Sequence, residues 1–369
     1  MVFIFYKIKI GRLEKILILF IFIKILFNLI NLINTNFSIL SFLLSIIYDS
    51  IFLFSFMIGK YASENNGNRI IYIKYFIYIL LLEEMIGIVQ VINPDFAYKS
   101  IDLYVANTER YIGMFNTWTV PRAIGTIGNP NYFGALSAIL IWISYFLLSE
   151  IIKKRQSKNY KYIGIFGIVF GIIGILISQS DTSTIATIIF IFIPIILKFI
   201  FNKYKKNKLL SFIIIIIILT LLIIFNKYLF DLINNIINLN ELGDLNGRIG
   251  VWENLKNILE QSSIKNVFWG YGSENVKSKI LWFDNFYIKL FFTSGIIVCL
   301  IYFIFLKNLI NYCIKYNKKN LICLMFILFI IVIDFTAEFS SQSNLGVLLY
   351  FLLAYFTYYD YNSIELKKD

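Results

Sequence analysis

The sequence contains no histidine, three cysteines and only four prolines among its 369 residues. The absence of histidine removes the commonest general base and the commonest metal ligand of enzymes. Cys299, Cys313 and Cys323 lie in or beside apolar segments without the spacing of a metal site, so we interpret them as small buried apolar residues. No Walker loop or dinucleotide fingerprint stands out. The sequence therefore predicts neither a metal centre nor a cofactor.

Apolar residues dominate the composition. They make up 59% of the chain, and the mean hydropathy is +0.75, whereas ordinary soluble domains are about 45–50% apolar. Runs such as 213–224 are apolar on every face, which is typical of helices in lipid. The net charge of +12 would suggest a nucleic-acid partner in a soluble protein. Here we attribute it to cytoplasmic loops, so the expected partner is the lipid bilayer and not nucleic acid.

Segments of about 20 apolar residues mark the candidate membrane spans. They lie at 16–33, 37–58, 70–92, 131–152, 162–178, 185–201, 209–226, 283–305, 321–340 and 345–359. The predicted fold class is therefore all-α, a polytopic membrane protein of about ten transmembrane helices. We expect residues 1–369 to form a single integral membrane domain.

Lysine and arginine in the short loops predict the orientation. They precede the first span and recur in every second loop, whereas the alternate short loops 34–36, 178–184 and 341–344 carry neither. This pattern predicts cytoplasmic N- and C-termini and a multi-pass location in the cell (inner or plasma) membrane. It also places two long segments, 93–130 and 227–282, outside the membrane, the second with short helices. We expect these segments to form the functional site.

The first outer segment ends in a glycine-containing stretch, 122–131. Asn129 and Pro130 are favourable residues for the start of a helix, and a helix start can bind phosphate. Arg122 lies one short turn away and could add a fork of donors to the same anion. We therefore single out Arg122 as catalytic and Asn129 and Asn131 as substrate-binding. The alternative is a loop that caps a helix, with Arg122 reaching lipid headgroups.

The second outer segment predicts an amphipathic helix near 249–259. Arg248 and Trp252 lie one turn apart on it, a pairing that suits a sugar diphosphate; Trp252 could equally be an interfacial anchor. Tyr271, between Gly270 and Gly272, indicates a tight turn or a close backbone approach. We take Arg248 as catalytic and Trp252 and Tyr271 as substrate-binding.

A third motif, Asp284, Asn285 and Tyr287, opens the eighth predicted span. Asp284 is a candidate general base or an orienter of an acceptor hydroxyl, and its alternative role is a helix N-cap. Asn285 and Tyr287 are candidate substrate contacts.

Five acidic residues lie in or near the spans, and such carboxylates are functional candidates unless they are paired with Arg or Lys. They are Asp49, Glu83, Glu84, Asp334 and Glu338. Because Asp334 and Glu338 are four residues apart, we expect one helix face to carry both.

Taken in order, these motifs resemble the O-antigen ligase/polymerase superfamily, which includes the Wzy-type polymerases. The resemblance rests on Arg122 with 125–131, on 178–183, on Arg248 with Trp252 and 270–272, and on 284–287 with Gly295. It covers roughly 122–295; the N-terminal third matches only as apolar helices. Many members have His–Asn where this chain has Asp284–Asn285, which disfavours the ligase.

The resemblance implies a metal-independent membrane glycosyltransferase that acts on undecaprenyl-diphosphate-linked oligosaccharide at the outer leaflet. The expected function is an O-antigen or capsular polysaccharide polymerase, with a chain-length regulator as a further partner. Three alternatives stay open: a ligase of the same superfamily, a flippase or other transporter of lipid-linked oligosaccharides, and a membrane scaffold without chemistry, which would tolerate loss of both Arg122 and Arg248.

Overall fold

A computed structural model describes most of the chain outside the second long segment. The described residues are 10–33, 39–64, 69–93, 95–96, 99, 122–154, 158–188, 255–260, 262–272, 283, 285–316, 321–335, 338–341 and 343–359. The chain divides into two compact units, Met1–Thr187 with Ile264–Asp369, and Ile188–Ser263. Few residues of the second unit are described. The expectation of a single domain stays a prediction.

All regular structure in the described residues is helical. The helices are α1 Arg12–Ile33, α2 Ile39–Glu64, α3 Arg69–Ile92, α4 Pro130–Lys154, α5 Lys158–Ser178, α6 Ile264–Trp269, α7 Phe286–Tyr316, α8 Leu321–Asp334 and α9 Ser343–Tyr358, with a 3₁₀ turn at Phe339–Ser341. Residues 181–188 and 255–260 are also helical.

Five of the described helices are long and apolar enough to cross a membrane. They lie within α2, α3, α4, α5 and α7, and α8 and α9 contain shorter apolar stretches. The all-α membrane class is thus confirmed in its coarse form, whereas the count of ten and the large outer loop stay predictions. The predicted spans 185–201 and 209–226 lie largely outside the described residues.

Helices α4 and α5 pack through a row of small residues. Gly164, Gly167, Gly171 and Gly174 follow one face of α5, and a Cβ added at any of them would overlap atoms of a neighbouring helix. For the first three these atoms belong to α4. Small residues let membrane helices approach closely. Because the hydrophobic effect does not drive helices together within lipid, this close van der Waals contact stabilises their association.

One end of the bundle is held by a buried ion pair. Lys60 Nζ lies 2.9 Å from Glu14 Oε1, and the Tyr358 hydroxyl donates to the same oxygen at 2.7 Å. Both charged side chains are almost fully buried. The start of α1 and the end of α9 therefore share one end of the bundle, as an even number of crossings requires. That this end faces the cytoplasm stays a prediction.

The three cysteines are buried, as expected of small apolar residues. Cys313, in the last turns of α7, and Cys323, in the first turn of α8, are paired as a disulfide. Cys299 is a free thiol.

Candidate functional site

Helix α3 holds the glycine-containing loop 122–129 through two side chains. Gln90 Oε1 accepts the N–H groups of Ile124 (3.2 Å) and Gly125 (2.9 Å), and its Nε2 donates to the Gly125 carbonyl (3.1 Å). Glu83, two turns earlier on the same face, accepts the N–H and the hydroxyl of Thr126 at 2.6 and 2.8 Å. These bonds replace the partners that loop backbone would otherwise lack, so the loop has one defined shape.

The start of α4 confirms the predicted cap. Asn129 Oδ1 accepts the N–H of Asn131 at 2.8 Å and that of Tyr132 at 3.4 Å, while Pro130 occupies the first helical position. The side-chain oxygen therefore already satisfies donors that we expected to meet a phosphate. An anion at this helix start would have to replace Asn129 Oδ1.

Arg122 binds the end of α5. Its Nε and Nη2 donate to the carbonyls of Ser178 and Gln179, both at 2.9 Å, and the Ala123 N–H donates to the Ile177 carbonyl. A helix C-terminus carries partial negative charge, which the guanidinium complements. Burial lowers the pKa of Arg122, and the carboxylate of Asp181 opposes that shift. Arg122 thus contacts carbonyls at the end of α5, a role that neither interpretation of the sequence named, and these bonds fix the guanidinium in one orientation.

Helix α7 is interrupted at Gly295, where the loop after α6 approaches it. Gly295 has φ 77° and ψ 175°, values open only to glycine, and a Cβ there would overlap the Phe268 carbonyl. In the turn before the break, the carbonyls of Phe292 and Thr293 accept the N–H groups of Tyr271 (2.7 Å) and Gly272 (3.0 Å). The predicted close approach of the Gly270–Gly272 stretch is therefore confirmed. The Tyr271 ring stacks on Phe292 at 6.1 Å.

The third motif caps α7, although through a different residue from the one we considered. Asn285 Oδ1 accepts the N–H of Ile288 at 3.0 Å, and Asn285 Nδ2 donates to the Phe335 carbonyl at 2.9 Å. The Tyr287 hydroxyl donates to the Ile331 carbonyl at 3.3 Å. The two side chains thus fasten the start of α7 to the end of α8.

Glu338 and Lys289 form an ion pair beside this cap. Lys289 Nζ lies 2.5 Å from Glu338 Oε2 and 3.1 Å from Ser341 Oγ, and Glu338 Oε1 accepts the Phe283 N–H at 3.0 Å. Nothing in the sequence analysis singled out Lys289. The signal available was a lone cation six residues into the predicted apolar span 283–305, the same argument that we applied only to acids.

The expectation that Asp334 and Glu338 share one helix face is wrong. Helix α8 ends at Asp334, and Glu338 follows it outside the helix. Asp334 accepts both the N–H (2.9 Å) and the hydroxyl (2.5 Å) of Ser340, which requires the chain to turn back on itself. A short acidic side chain that bonds nearby backbone competes with helix continuation.

The described parts of the three motifs meet at one end of the bundle. Tyr132, in the first turn of α4, contacts the buried ring of Phe339 at 5.1 Å, and Phe339 adjoins Glu338, which binds Lys289 in α7. Phe283 in turn contacts Phe292, which stacks on Tyr271. The segments 122–132, 270–272 and 283–289 are thus linked through 335–341.

Three of the proposed residues, Arg248, Trp252 and Asp284, lie outside the described residues. The meeting of Arg122 with Arg248 therefore stays a prediction. No group of three metal-ligating side chains occurs in the part of the chain that the structure describes. Gln90 was missed because an amide in an apolar span does not reveal which loop it will bind.

The chain matches no protein-family model, no curated protein and no solved structure. The family resemblance consequently rests on the motif residues alone.

Proposed function

We propose that the chain is a membrane glycan polymerase of the O-antigen or capsular type, located in the cell membrane with both termini in the cytoplasm. It would transfer a glycan from an undecaprenyl-diphosphate carrier to a lipid-linked acceptor repeat unit. The observation that carries the proposal is the convergence of segments 122–132, 270–272 and 283–289, which are distant in sequence, at one end of the bundle.

The chemistry needs positively charged protein groups beside the departing diphosphate. In an inverting displacement, the acceptor hydroxyl oxygen bonds to the anomeric carbon while the carbon–oxygen bond to the diphosphate breaks. The diphosphate leaves with the electron pair, so fixed cations lower the barrier without a metal. We assign this role to Arg122 and Arg248, and we assign the hydroxyl proton to Asp284.

The remaining proposed residues would bind sugar. Trp252 and Tyr271 offer ring faces, and the latter is held against the broken turn of α7. Asn129, Asn131, Asn285 and Tyr287 lie at the same end of the bundle. The side chains of Asn129, Asn285 and Tyr287 already bond to backbone groups, and the Asn131 N–H donates to the side chain of Asn129. Their principal contribution in the resting protein is thus to fix the helix starts that surround the site.

A gene deletion tests the polymerase directly. Loss of a polymerase leaves single repeat units on the carrier glycan, whereas loss of a ligase leaves no attached glycan. Complementation with Arg248→Lys should restore folded protein but little activity, because lysine cannot reproduce a bidentate fork. Arg12→Lys, at the opposite end of the bundle, is the matched control and should restore wild-type products. Full activity in the Arg248→Lys strain would contradict the proposal.

A transporter of lipid-linked oligosaccharides is the second candidate, and the interrupted helix α7 favours it. The two functions separate in detergent solution, where no barrier remains to be crossed. A polymerase should still convert purified lipid-linked repeat units into longer glycans there, and a transporter should leave them unchanged.

A further inference from the structure

Glu84 lies fully buried where α3 meets α4 and α5, and among the described residues no group donates a hydrogen bond to either of its carboxyl oxygens. We propose that Glu84 is a proton-binding site inside the membrane, whose carboxyl group carries a proton at neutral pH and donates it in a hydrogen bond to Ser137 Oγ. The proposal is independent of the polymerase function.

The neighbouring Glu83 is a carboxyl group in this protein whose two oxygens both have hydrogen-bond donors. Its two oxygens each accept a hydrogen bond from Thr126, one from the N–H and one from the hydroxyl. Donors of this kind stabilise the charged form. Glu84 is buried and has no such donors in the part of the chain that the structure describes. Because an unpaired buried charge is costly, a carboxylate in these surroundings takes up a proton and becomes neutral.

Ser137 supports the direction of the hydrogen bond. Its hydroxyl donates its only proton to the Phe133 carbonyl one turn back, at 2.9 Å. Ser137 Oγ can then offer only lone pairs to Glu84. A protonated carboxyl can donate to those lone pairs, whereas an ionised carboxylate would face them as one acceptor against another.

The space for the carboxyl comes from Gly174 of α5. A Cβ built on Gly174 would overlap both Glu84 Oε2 and Ser137 Oγ, so the two oxygens lie side by side against the bare backbone of α5. The acid is therefore enclosed by three helices.

A bound Na⁺ is the competing occupant, and the described surroundings disfavour it. A hard cation needs about six oxygen ligands. The atoms nearest to Gly174 belong to the Glu84 carboxyl and to one serine hydroxyl, and the described residues contain no group of three His, Cys, Asp or Glu side chains that could hold a metal ion. A proton needs only the carboxyl itself.

Infrared difference spectroscopy on the full-length protein in lipid nanodiscs tests the proposal. At neutral pH the wild type should show a protonated carboxyl C=O band that is absent from Glu84→Gln. The matched variant Glu83→Gln should keep the band. An identical wild-type and Glu84→Gln spectrum in this region would overturn the proposal.

Two further measurements test the hydrogen bond to Ser137 and the competition with Na⁺. Ser137→Ala should keep the band but shift it to higher frequency, because the acceptor is lost, and this variant serves if Glu84→Gln does not fold. Addition of Na⁺ at constant pH should leave the band unchanged. Disappearance of the band on addition of Na⁺ would show that a cation displaces the proton, and an unshifted band in Ser137→Ala would refute the hydrogen bond.

Discussion

Replacement of Gln90 by leucine should release the loop that carries Arg122. The amide of Gln90 makes three hydrogen bonds, to Ile124 and Gly125, and is fully buried. Each bond is worth about 1 kcal/mol net, and stranded buried backbone groups cost about 1–3 kcal/mol each, so we expect local destabilisation of about 3–5 kcal/mol. Since about 1.4 kcal/mol changes an equilibrium constant tenfold, this corresponds to an increase of roughly two to four powers of ten in the equilibrium constant for local opening.

Hydrogen–deuterium exchange of the purified protein measures this opening. In Gln90→Leu the amides of Ile124 and Gly125 should exchange faster by roughly those powers of ten, whereas amides in the middle of α5 should change little. Val89→Leu is the matched control, because Val89 is a half-exposed neighbour on α3 and makes no bond to the loop in the described structure. Gln90→Glu should fall between the two, since it keeps the acceptor for both N–H groups and loses the donor.

If the loop amides in Gln90→Leu exchange within about threefold of the wild-type rate, the Gln90 side chain does not hold the loop. That result would mean that other contacts hold the loop and that the hydrogen bonds of the Gln90 side chain contribute little. Under the proposed function, the same variant should also lose polymerase activity through a misplaced Arg122.

Three further outcomes are expected. Gly295→Ala should lower the thermal unfolding temperature in detergent, because the backbone conformation at Gly295 is open essentially only to glycine and costs alanine about 1–3 kcal/mol before the overlap of its Cβ with the Phe268 carbonyl is counted; an unchanged midpoint would argue against the break in α7. Lys60→Met should destabilise by about 3–5 kcal/mol because it strands the buried Glu14, and Glu14→Gln with Lys60→Met should recover most of the loss. If the double variant is no more stable than the single one, the ion pair does not explain the loss. Arg122→Lys should cost about 1–3 kcal/mol, seen as faster exchange at the end of α5, since one ammonium cannot span two carbonyls; unchanged exchange there would mean that the fork is dispensable.

Sequence reasoning reached the features that depend on local chemistry. The Asn129–Pro130 start of α4 follows from capping preferences, and the α1–α5 ranges follow from apolar length. The glycine pair at 270–272 indicated a close backbone approach, yet only the fold identifies Gly295 as its counterpart. Which segments meet across the bundle is a tertiary property that no local pattern encodes.

The wrong prediction has a specific physical origin. A spacing of four between Asp334 and Glu338 places both on one face only if the helix continues. The Asp334 carboxylate instead takes two hydrogen bonds from Ser340, and the chain turns to provide them. Hydropathy did not indicate the end of the helix, because the predicted span 321–340 includes residues that follow the end of α8 at Asp334.

The bonds of Arg122 to α5 bear on its proposed catalytic role in a definite way. A cation that stabilises a departing diphosphate is most effective when its orientation is set before the charge develops. The carbonyls of Ser178 and Gln179 set that orientation, and the anchored loop behind Arg122 keeps its backbone in place. One guanidinium can therefore both anchor the structure and take part in catalysis. The two roles predict different results for the Arg122→Lys variant. If the variant loses only stability, Arg122 serves to bind the end of α5. If its activity per folded protein also falls, Arg122 is part of the site.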